Sequence, residues 1–358
     1  MSYVKVTIRK STGVASKVLF NSKLAVSKNM RFRVALLLIL FMPSLGSMLP
    51  CAGEEGDMPT KQSLSDSTGK ENSRQWVIPI PTFGGLQVWT DFSYRQGFRI
   101  QHNTVTDNWR LLDGNDRRWM WGTRAQCEAF LNKVAKRSQS KLAPQRCIVL
   151  VHGLMRTKHS MTPLTKVLRK KCDCEIVCFS YASTRGKIGA HAAALREFLE
   201  SLPETWTLSF VGHSMGNIVI RHFIADLQDD QKHSELLSRC QRMVMLGPPN
   251  QGAAIARQLS SLGMFEWIAG KGAMELGPDW DEFSESLATP PFPFSIIAGQ
   301  VENKAIQNPL LDNASDFVVE VDEARLEGSE SFVVVPALHS FLMKDAQVQE
   351  FVADFLCH

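Results

Sequence analysis

Ser214 lies in the stretch GHSMG, between Gly212 and Gly216, at the junction of two apolar segments. The segment before it, 207–211, has the pattern of a buried strand, and the segment after it has the spacing of a helix. Between a strand and a helix, Gly-x-Ser-x-Gly forms a sharp turn that exposes the serine hydroxyl. A side chain at position 212 or 216 would strike the neighbouring strand or helix. We therefore predict that Ser214 is a nucleophile and that both glycines, with His213, form its elbow.

A serine hydroxyl is a weak nucleophile at neutral pH, so it needs a general base and a group that orients this base. The base is expected late in the chain, after the acid. Among nine histidines, only His339 has both this order and a place at the end of a strand, directly after SFVVVPAL. His213 is predicted to point away from its neighbour Ser214. His339 is therefore the predicted base.

The orienting acid is expected on the loop that follows the apolar run 292–299. Asp316 is preferred because it opens the β-like run DFVVEV after a turn-prone DNAS, and Asp312 is the alternative. The end of the run 241–247 offers Asn250 and no carboxylate.

Acyl transfer also needs hydrogen-bond donors aimed at the developing oxyanion. The backbone N–H of Met215, directly after the nucleophile, is the first predicted donor. Leu154, in the turn VLVHGLMRT that follows an early strand, supplies the second.

These residues require a framework of alternating strands and helices. Apolar runs predict strands, and spacings of three and four predict helices. The predicted strands are 147–153, 175–181, 207–211, 241–247, 292–299 and 331–338, and the predicted helices are 161–171, 188–202 and 214–227. Such alternation predicts a mostly parallel sheet covered on both faces, with the site beyond the carboxyl ends of its strands.

The stretches VLVHGL, GHSMG, LGPPNQGAAIA and VPALHSFLM resemble the bacterial lipase and esterase branch of the α/β-hydrolase superfamily, over about 145 to 355. The resemblance implies an α/β-hydrolase fold, with a mostly parallel central sheet, helices on both faces and a lid or cap insertion at about 252–290. It implies carboxylic-ester hydrolysis without a cofactor, by a triad of Ser214, Asp316 and His339 with an oxyanion hole at Leu154 and Met215. Relatives often have glycine after the acid, whereas this chain has Phe317. No calcium ligand set of the kind some of these lipases carry is recognisable.

The segment at 252–290 does not decide which class of ester is the substrate. Its apolar residues fit an amphipathic cap that opens at a membrane or lipid interface, or a cap packed on the core that forms a pocket for small esters. Export and aromatic content favour lipid-like acyl esters over small ones. An acyltransferase or an amidase uses the same triad. A non-catalytic binding protein of the same fold is disfavoured because such relatives commonly lose the nucleophile or the histidine.

The N-terminal part divides into three predicted segments. Residues 1–53 contain arginines followed by the apolar run 34–42, which is short for a membrane span and typical of a signal peptide, with cleavage after Gly46 or Gly53. An uncleaved anchor is the alternative, Met30 is a second candidate start, and lipid attachment at Cys51 is disfavoured by the preceding proline. Polar residues 54–75 predict a disordered linker. Residues 76–140 are aromatic-rich and are predicted to pack on the main domain, 141–358.

Composition excludes several classes of protein. The net charge of +4 comes without a basic stripe interleaved with aromatic residues, so nucleic-acid binding is not expected. Eight cysteines in 358 residues do not form a disulfide scaffold. The group Cys172, Cys174 and Cys178 lacks a second ligand pair at metal-site spacing and is predicted to be buried strand cysteines.

Overall fold

The computed structural model describes residues 80–81, 87–135, 145–229, 234–260, 270–302, 308, 310–311 and 313–357. The predicted export signal, the two candidate starts, Cys51 and the linker lie outside the described residues, as does Asp312. No helix within the described ranges has the length and apolar character that a membrane span requires.

A six-stranded parallel sheet carries the predicted site. An antiparallel sheet precedes it in the chain. The strands of the parallel sheet are β6 (Arg146–Val151), β7 (Glu175–Phe179), β8 (Thr207–His213), β9 (Cys240–Leu246), β10 (Phe294–Gly299) and β11 (Ser331–Val335). Their order in space is β11-β10-β9-β8-β6-β7, and every neighbouring pair is parallel. The six predicted strands are confirmed, and β8, which leads to Ser214, lies between β6 and β9.

Helices cover this sheet because its strands are apolar on both faces. Ile148 and Leu150 share a buried cluster with residues of two helices, whereas Phe210 contacts Phe223 on a third helix, with ring centroids 6.1 Å apart. The helices are α1 (Arg124–Ala135), α2 (Thr162–Lys171), α3 (Ile188–Glu200), α4 (Met215–Asp229), α5 (Ser234–Ser238), α6 (Ala254–Ser260), α7 (Lys271–Glu275), α8 (Trp280–Ser284) and α9 (Ala346–Cys357). Lys158–Met161 and His339–Lys344 form short 3₁₀ helices.

The aromatic-rich segment forms a second, antiparallel sheet. Its strands are β1 (Ile80–Pro81), β2 (Trp89–Arg95), β3 (Phe98–Asn103), β4 (Trp109–Leu112) and β5 (Arg117–Gly122), in the order β1-β5-β4-β3-β2. One face packs on α1 through Ile100, Leu111 and Leu131. The edge strand β2 joins the parallel-sheet region, since Asp91 and Ser180 exchange backbone and side-chain hydrogen bonds of 2.8 Å.

The cysteine prediction is partly wrong. Cys172 follows α2 and forms a disulfide with Cys357 at the end of α9, with Cα atoms 5.2 Å apart. Cys174 precedes β7, and only Cys178 lies within that strand. A pairing across 185 residues depends on how α2 and α9 pack together, and no local sequence pattern encodes this packing.

Candidate active site

Ser214 lies between the end of β8 and the start of α4, as predicted. Its φ is +52°, in the left-handed region that residues other than glycine adopt uncommonly. The Ser214 N–H donates to the carbonyl of Leu246 on the neighbouring strand β9, at 2.9 Å. This bond holds the backbone in its costly conformation, which is a frequent feature of functional turns.

The glycines on either side of Ser214 allow this tight turn. A Cβ on Gly216 would lie 2.4 Å from the carbonyl oxygen of Val151 and 2.6 Å from that of His152. A Cβ on Gly212 would lie 2.2 Å from Oδ1 of Asn217 and 2.9 Å from its Cα. The predicted steric reason for both glycines is therefore confirmed: Gly216 meets a strand, and Gly212 meets the helix.

Asp316 and His339 form a buried pair. His339 Nδ1 lies 2.7 Å from Asp316 Oδ2, and the two residues are only 3% and 1% exposed. The backbone N–H of His339 also donates to the Asp316 carbonyl at 2.9 Å. Because the carboxylate accepts from Nδ1–H, the lone pair of the imidazole lies on Nε2, the form that a general base requires.

A tight turn, and not the predicted β-like run, holds Asp316. Its Oδ1 accepts from the backbone N–H groups of Val318 and Val319, at 3.0 and 2.8 Å, so the chain turns back at once. Phe317 has a φ of +87°, which a side chain disfavours. This conformation gives a physical reason why glycine is usual at this position in the family that the sequence resembles.

The loops bring His339 beside the elbow of Ser214. Gly247, directly after the residue that accepts from the Ser214 N–H, approaches the imidazole so closely that a Cβ there would lie 3.0 Å from Nδ1. His213 Nε2 lies 3.0 Å from the His339 carbonyl, and the two rings are 4.7 Å apart. His339 Nε2 is buried and has no hydrogen-bond partner within the described part of the chain.

His213 is a supporting residue whose contact the sequence did not reveal. Burial, with a smaller effect of His339, lowers its pKa well below the usual value, so the ring is neutral. Nε2 must carry the proton, because it donates to the His339 carbonyl. The residue beside the nucleophile thus supports the backbone of the predicted base, and only its position in the GHSMG stretch pointed to it.

The two predicted oxyanion donors belong to segments that adjoin Ser214. Met215 is the first residue of α4, where backbone N–H groups have no partner inside the helix. Gly153, just before Leu154, lies against Ser214, since a Cβ there would be 2.9 Å from the serine Cβ. A turn in which the Arg156 N–H donates to the Gly153 carbonyl at 3.3 Å carries Leu154.

His152, at the start of this turn, is a structural residue. Its ring stacks on Tyr181 with centroids 4.4 Å apart, and its Nδ1 donates to the Gly153 carbonyl at 2.9 Å. Burial lowers its pKa to about 4, so it stays neutral and keeps this hydrogen bond at neutral pH.

The predicted lid is described only in part. Its helices α6, α7 and α8 are present, and residues 261–269 lie outside the described residues. Ala273, Leu276 and Trp280 are buried. Gly272 packs near the Met215 side chain, where a Cβ would lie 3.4 Å from its sulfur. The described part of this segment therefore approaches the elbow at Gly272.

No cluster of three or more His, Cys, Asp or Glu side chains that could hold a metal ion occurs among the residues that the structure describes.

Comparisons with known proteins agree with this architecture. Residues 141–275 match the family described as "Putative serine esterase (DUF676)". No curated protein sequence matches the chain significantly. The lipase BlEst2 of Bacillus licheniformis, in its mature form, is 16% identical and has a TM-score of 0.50, with 62% of this chain and 95% of that chain covered.

Two further structures are similar with TM-scores below 0.5. The metagenomic carboxyl esterase MGS0156 is 19% identical over 57% of this chain and 68% of that chain, with a TM-score of 0.44. The phospholipase PlaB of Legionella pneumophila is 20% identical over 50% of this chain and 45% of that chain, with a TM-score of 0.40. The parallel sheet, the turn at Ser214 and the likeness to the mature lipase together show that the chain has the α/β-hydrolase fold. Over residues 141–275 it is similar to serine esterases.

Proposed function

We propose that this protein is a serine hydrolase that cleaves carboxylic esters through an acyl-enzyme. The main support is the buried pair of Asp316 and His339, whose Oδ2 and Nδ1 atoms lie 2.7 Å apart, next to the left-handed turn that contains Ser214. The family match supports ester hydrolysis by a serine nucleophile. In this proposal Ser214 is the nucleophile, His339 the base and Asp316 the residue that orients it.

The reaction begins when Ser214 Oγ attacks the ester carbonyl carbon and its proton passes to His339 Nε2. The carbonyl oxygen becomes an oxyanion, and the backbone N–H groups of Leu154 and Met215 donate to it. Collapse of this intermediate breaks the bond to the alkoxy oxygen, which leaves as an alcohol with the proton from His339. Water, activated by the same imidazole, then releases the acid and restores the serine.

The proposed substrates are lipid-like acyl esters, and the cap at 252–290 is proposed to meet a membrane or lipid interface. The likeness to a bacterial lipase supports this substrate class. Small-ester hydrolysis, acyl transfer and amide hydrolysis are alternatives on the same triad. Rates measured on p-nitrophenyl esters of increasing chain length separate the first two: a jump at the solubility limit supports a lipase, and smooth saturation supports an esterase.

Replacing the nucleophile tests the proposed function. We expect Ser214→Ala to lose at least about a thousandfold in kcat toward p-nitrophenyl esters, the scale seen when a triad member is removed. Ser238→Ala, at an exposed serine whose hydroxyl bonds the Glu235 carbonyl of its own helix, is the matched control and should keep full activity. A fluorophosphonate should label the control and not the Ser214 variant. Equal rates in all three proteins would contradict the proposal.

We also propose that the protein is exported. The disulfide between Cys172 and Cys357 supports this, because such bonds persist mainly in oxidising compartments. N-terminal sequencing of the native protein should find a mature chain that begins after Gly46 or Gly53. A full-length chain confined to the cytoplasm would contradict the proposal.

A further inference from the structure

The antiparallel sheet contacts the loop that carries the proposed oxyanion donor Leu154, residues 152–158, here called the oxyanion loop. Just before β2, Gln87 Nε2 donates to the carbonyl of Arg156 at 2.6 Å. The other side of the same amide, Oε1, accepts from the hydroxyl of the fully buried Ser183 at 2.8 Å. Because both ends of this amide are engaged, Gln87 holds the Arg156 peptide in a fixed position.

A buried ion pair holds the far end of the oxyanion loop. Lys158 Nζ lies 2.5 Å from Asp116 Oδ1, with the side chains 14% and 12% exposed. Arg99 also pairs with Asp116 and lies 3.7 Å from the buried Asp91, so the four charges balance. Burial acts to raise the pKa of Asp116, but Arg99 and Lys158 outweigh this effect and hold the pKa below its usual value.

The held loop also reaches the proposed base. The Arg156 guanidinium donates to the hydroxyl of Ser340, the residue directly after His339. The Arg156 N–H closes the turn onto Gly153, which lies against Ser214. Arg156, whose carbonyl is held by Gln87, therefore connects the oxyanion loop with the segment that contains His339.

We propose that Gln87 and the Asp116–Lys158 pair are positioning groups that hold the oxyanion loop, so that the antiparallel sheet is a working part of the active site. The inference rests on the proposed function, since it assigns these groups to the geometry of the same oxyanion hole. An oxyanion donor acts only when it is aimed at the place where charge develops. A displacement of about 1 Å can cost about a hundredfold in rate. Leu154 is only two residues from the peptide that Gln87 holds.

The test uses the full-length protein with Gln87→Ala and the near-isosteric Gln87→Glu, which keeps an acceptor for Ser183 and lacks the donor to Arg156. The matched control is Arg95→Ala, because Arg95 ends β2, the strand that begins just after Gln87, and its side chain bonds Asn132 in α1 at 2.8 Å. Active-site titration with a fluorophosphonate gives the rate per folded site. We expect both Gln87 variants to lose about tenfold in kcat with KM unchanged, on the scale of a misplaced donor.

A second measurement separates positioning from folding. The adduct of a trifluoromethyl ketone with the serine carries an oxyanion, so its affinity should fall by the same factor as kcat in both Gln87 variants. A role in stability alone would lower the titrated fraction and leave the rate per site unchanged. That outcome, or Gln87 variants that match Arg95→Ala in kcat and in ketone affinity, would overturn the positioning role. A wild-type protein with no activity above Ser214→Ala would instead overturn the proposed function.

Discussion

Exchanging Asp316 for asparagine changes one atom and tests the chemical role of the pair. Asp316 Oδ1 accepts from two backbone N–H groups, of Val318 and Val319, and Oδ2 accepts from His339. An asparagine oxygen in the Oδ1 position keeps both backbone bonds and turns its NH₂ group toward His339. The opposite orientation would leave both backbone N–H groups, one buried and one partly buried, without an acceptor, at about 1–3 kcal/mol for a buried group, so it is disfavoured.

With the asparagine amide in this orientation, His339 is held in the wrong tautomer. Nδ1 must then accept from the amide, so the imidazole proton moves to Nε2, which can no longer take the proton of Ser214. We expect kcat to fall by about 10⁴, the effect of the same exchange in a serine triad. At 1.36 kcal/mol for each tenfold change, this loss corresponds to about 5 kcal/mol in the barrier. The turn around Asp316 keeps its backbone bonds, so the protein should stay folded.

The assay is hydrolysis of p-nitrophenyl butyrate per site, with urea unfolding measured in parallel. Asp312→Asn, at the alternative acid, is the control, and it should keep kcat within about twofold if Asp316 alone orients the base. If Asp316→Asn retains more than a tenth of wild-type kcat, or if Asp312→Asn loses as much as Asp316→Asn, the assignment of Asp316 as the orienting acid is wrong.

Two further predictions concern stability. Closing a loop of 185 residues stabilises the fold by up to about 5 kcal/mol through the unfolded chain. Cys172→Ala should therefore lower the urea midpoint clearly, and adding Cys357→Ala should lower it no further; an unchanged midpoint in the single variant would contradict the pairing. Burial depresses the pKa of His152 and His191 to about 4 and that of His213 well below its usual value. Below about pH 6.5 the unfolded chain therefore binds more protons than the folded chain, so the free energy of unfolding should be highest above that pH and fall toward pH 4. His152 alone accounts for a loss of about 3 kcal/mol. Equal urea midpoints at pH 7 and pH 5 would refute this.

Local patterns were sufficient for the six strands of the parallel sheet, for the three helices predicted between them and for the elbow. A continuous apolar run such as 147–151 is typical of a strand buried on both faces, and alternation with helices then favours parallel neighbours in the sheet. The elbow was recognisable because the Gly-x-Ser-x-Gly spacing is local, although the closest approach at Gly216 is to Val151, which lies on another strand. The choice of Asp316 over Asp312 also came from the sequence, although the reason given for it, a β-like run, was wrong.

Other features depend on contacts between distant parts of the chain. The disulfide joins two helix ends that lie 185 residues apart. The ring of His213 meets that of His339 only because the end of β8 and the segment after β11 lie at the same edge of the sheet. The contact between Gln87 and Arg156 spans two sheets, and neither residue has a pattern that identifies it as part of a site.

The sequence by itself thus determined the fold class, the elbow and the order of the candidate residues, because periodicity and tight turns are local properties. Tertiary structure alone decided which side chains meet. The distance between two loops depends on strand order and register, and those are fixed by the packing of the whole sheet.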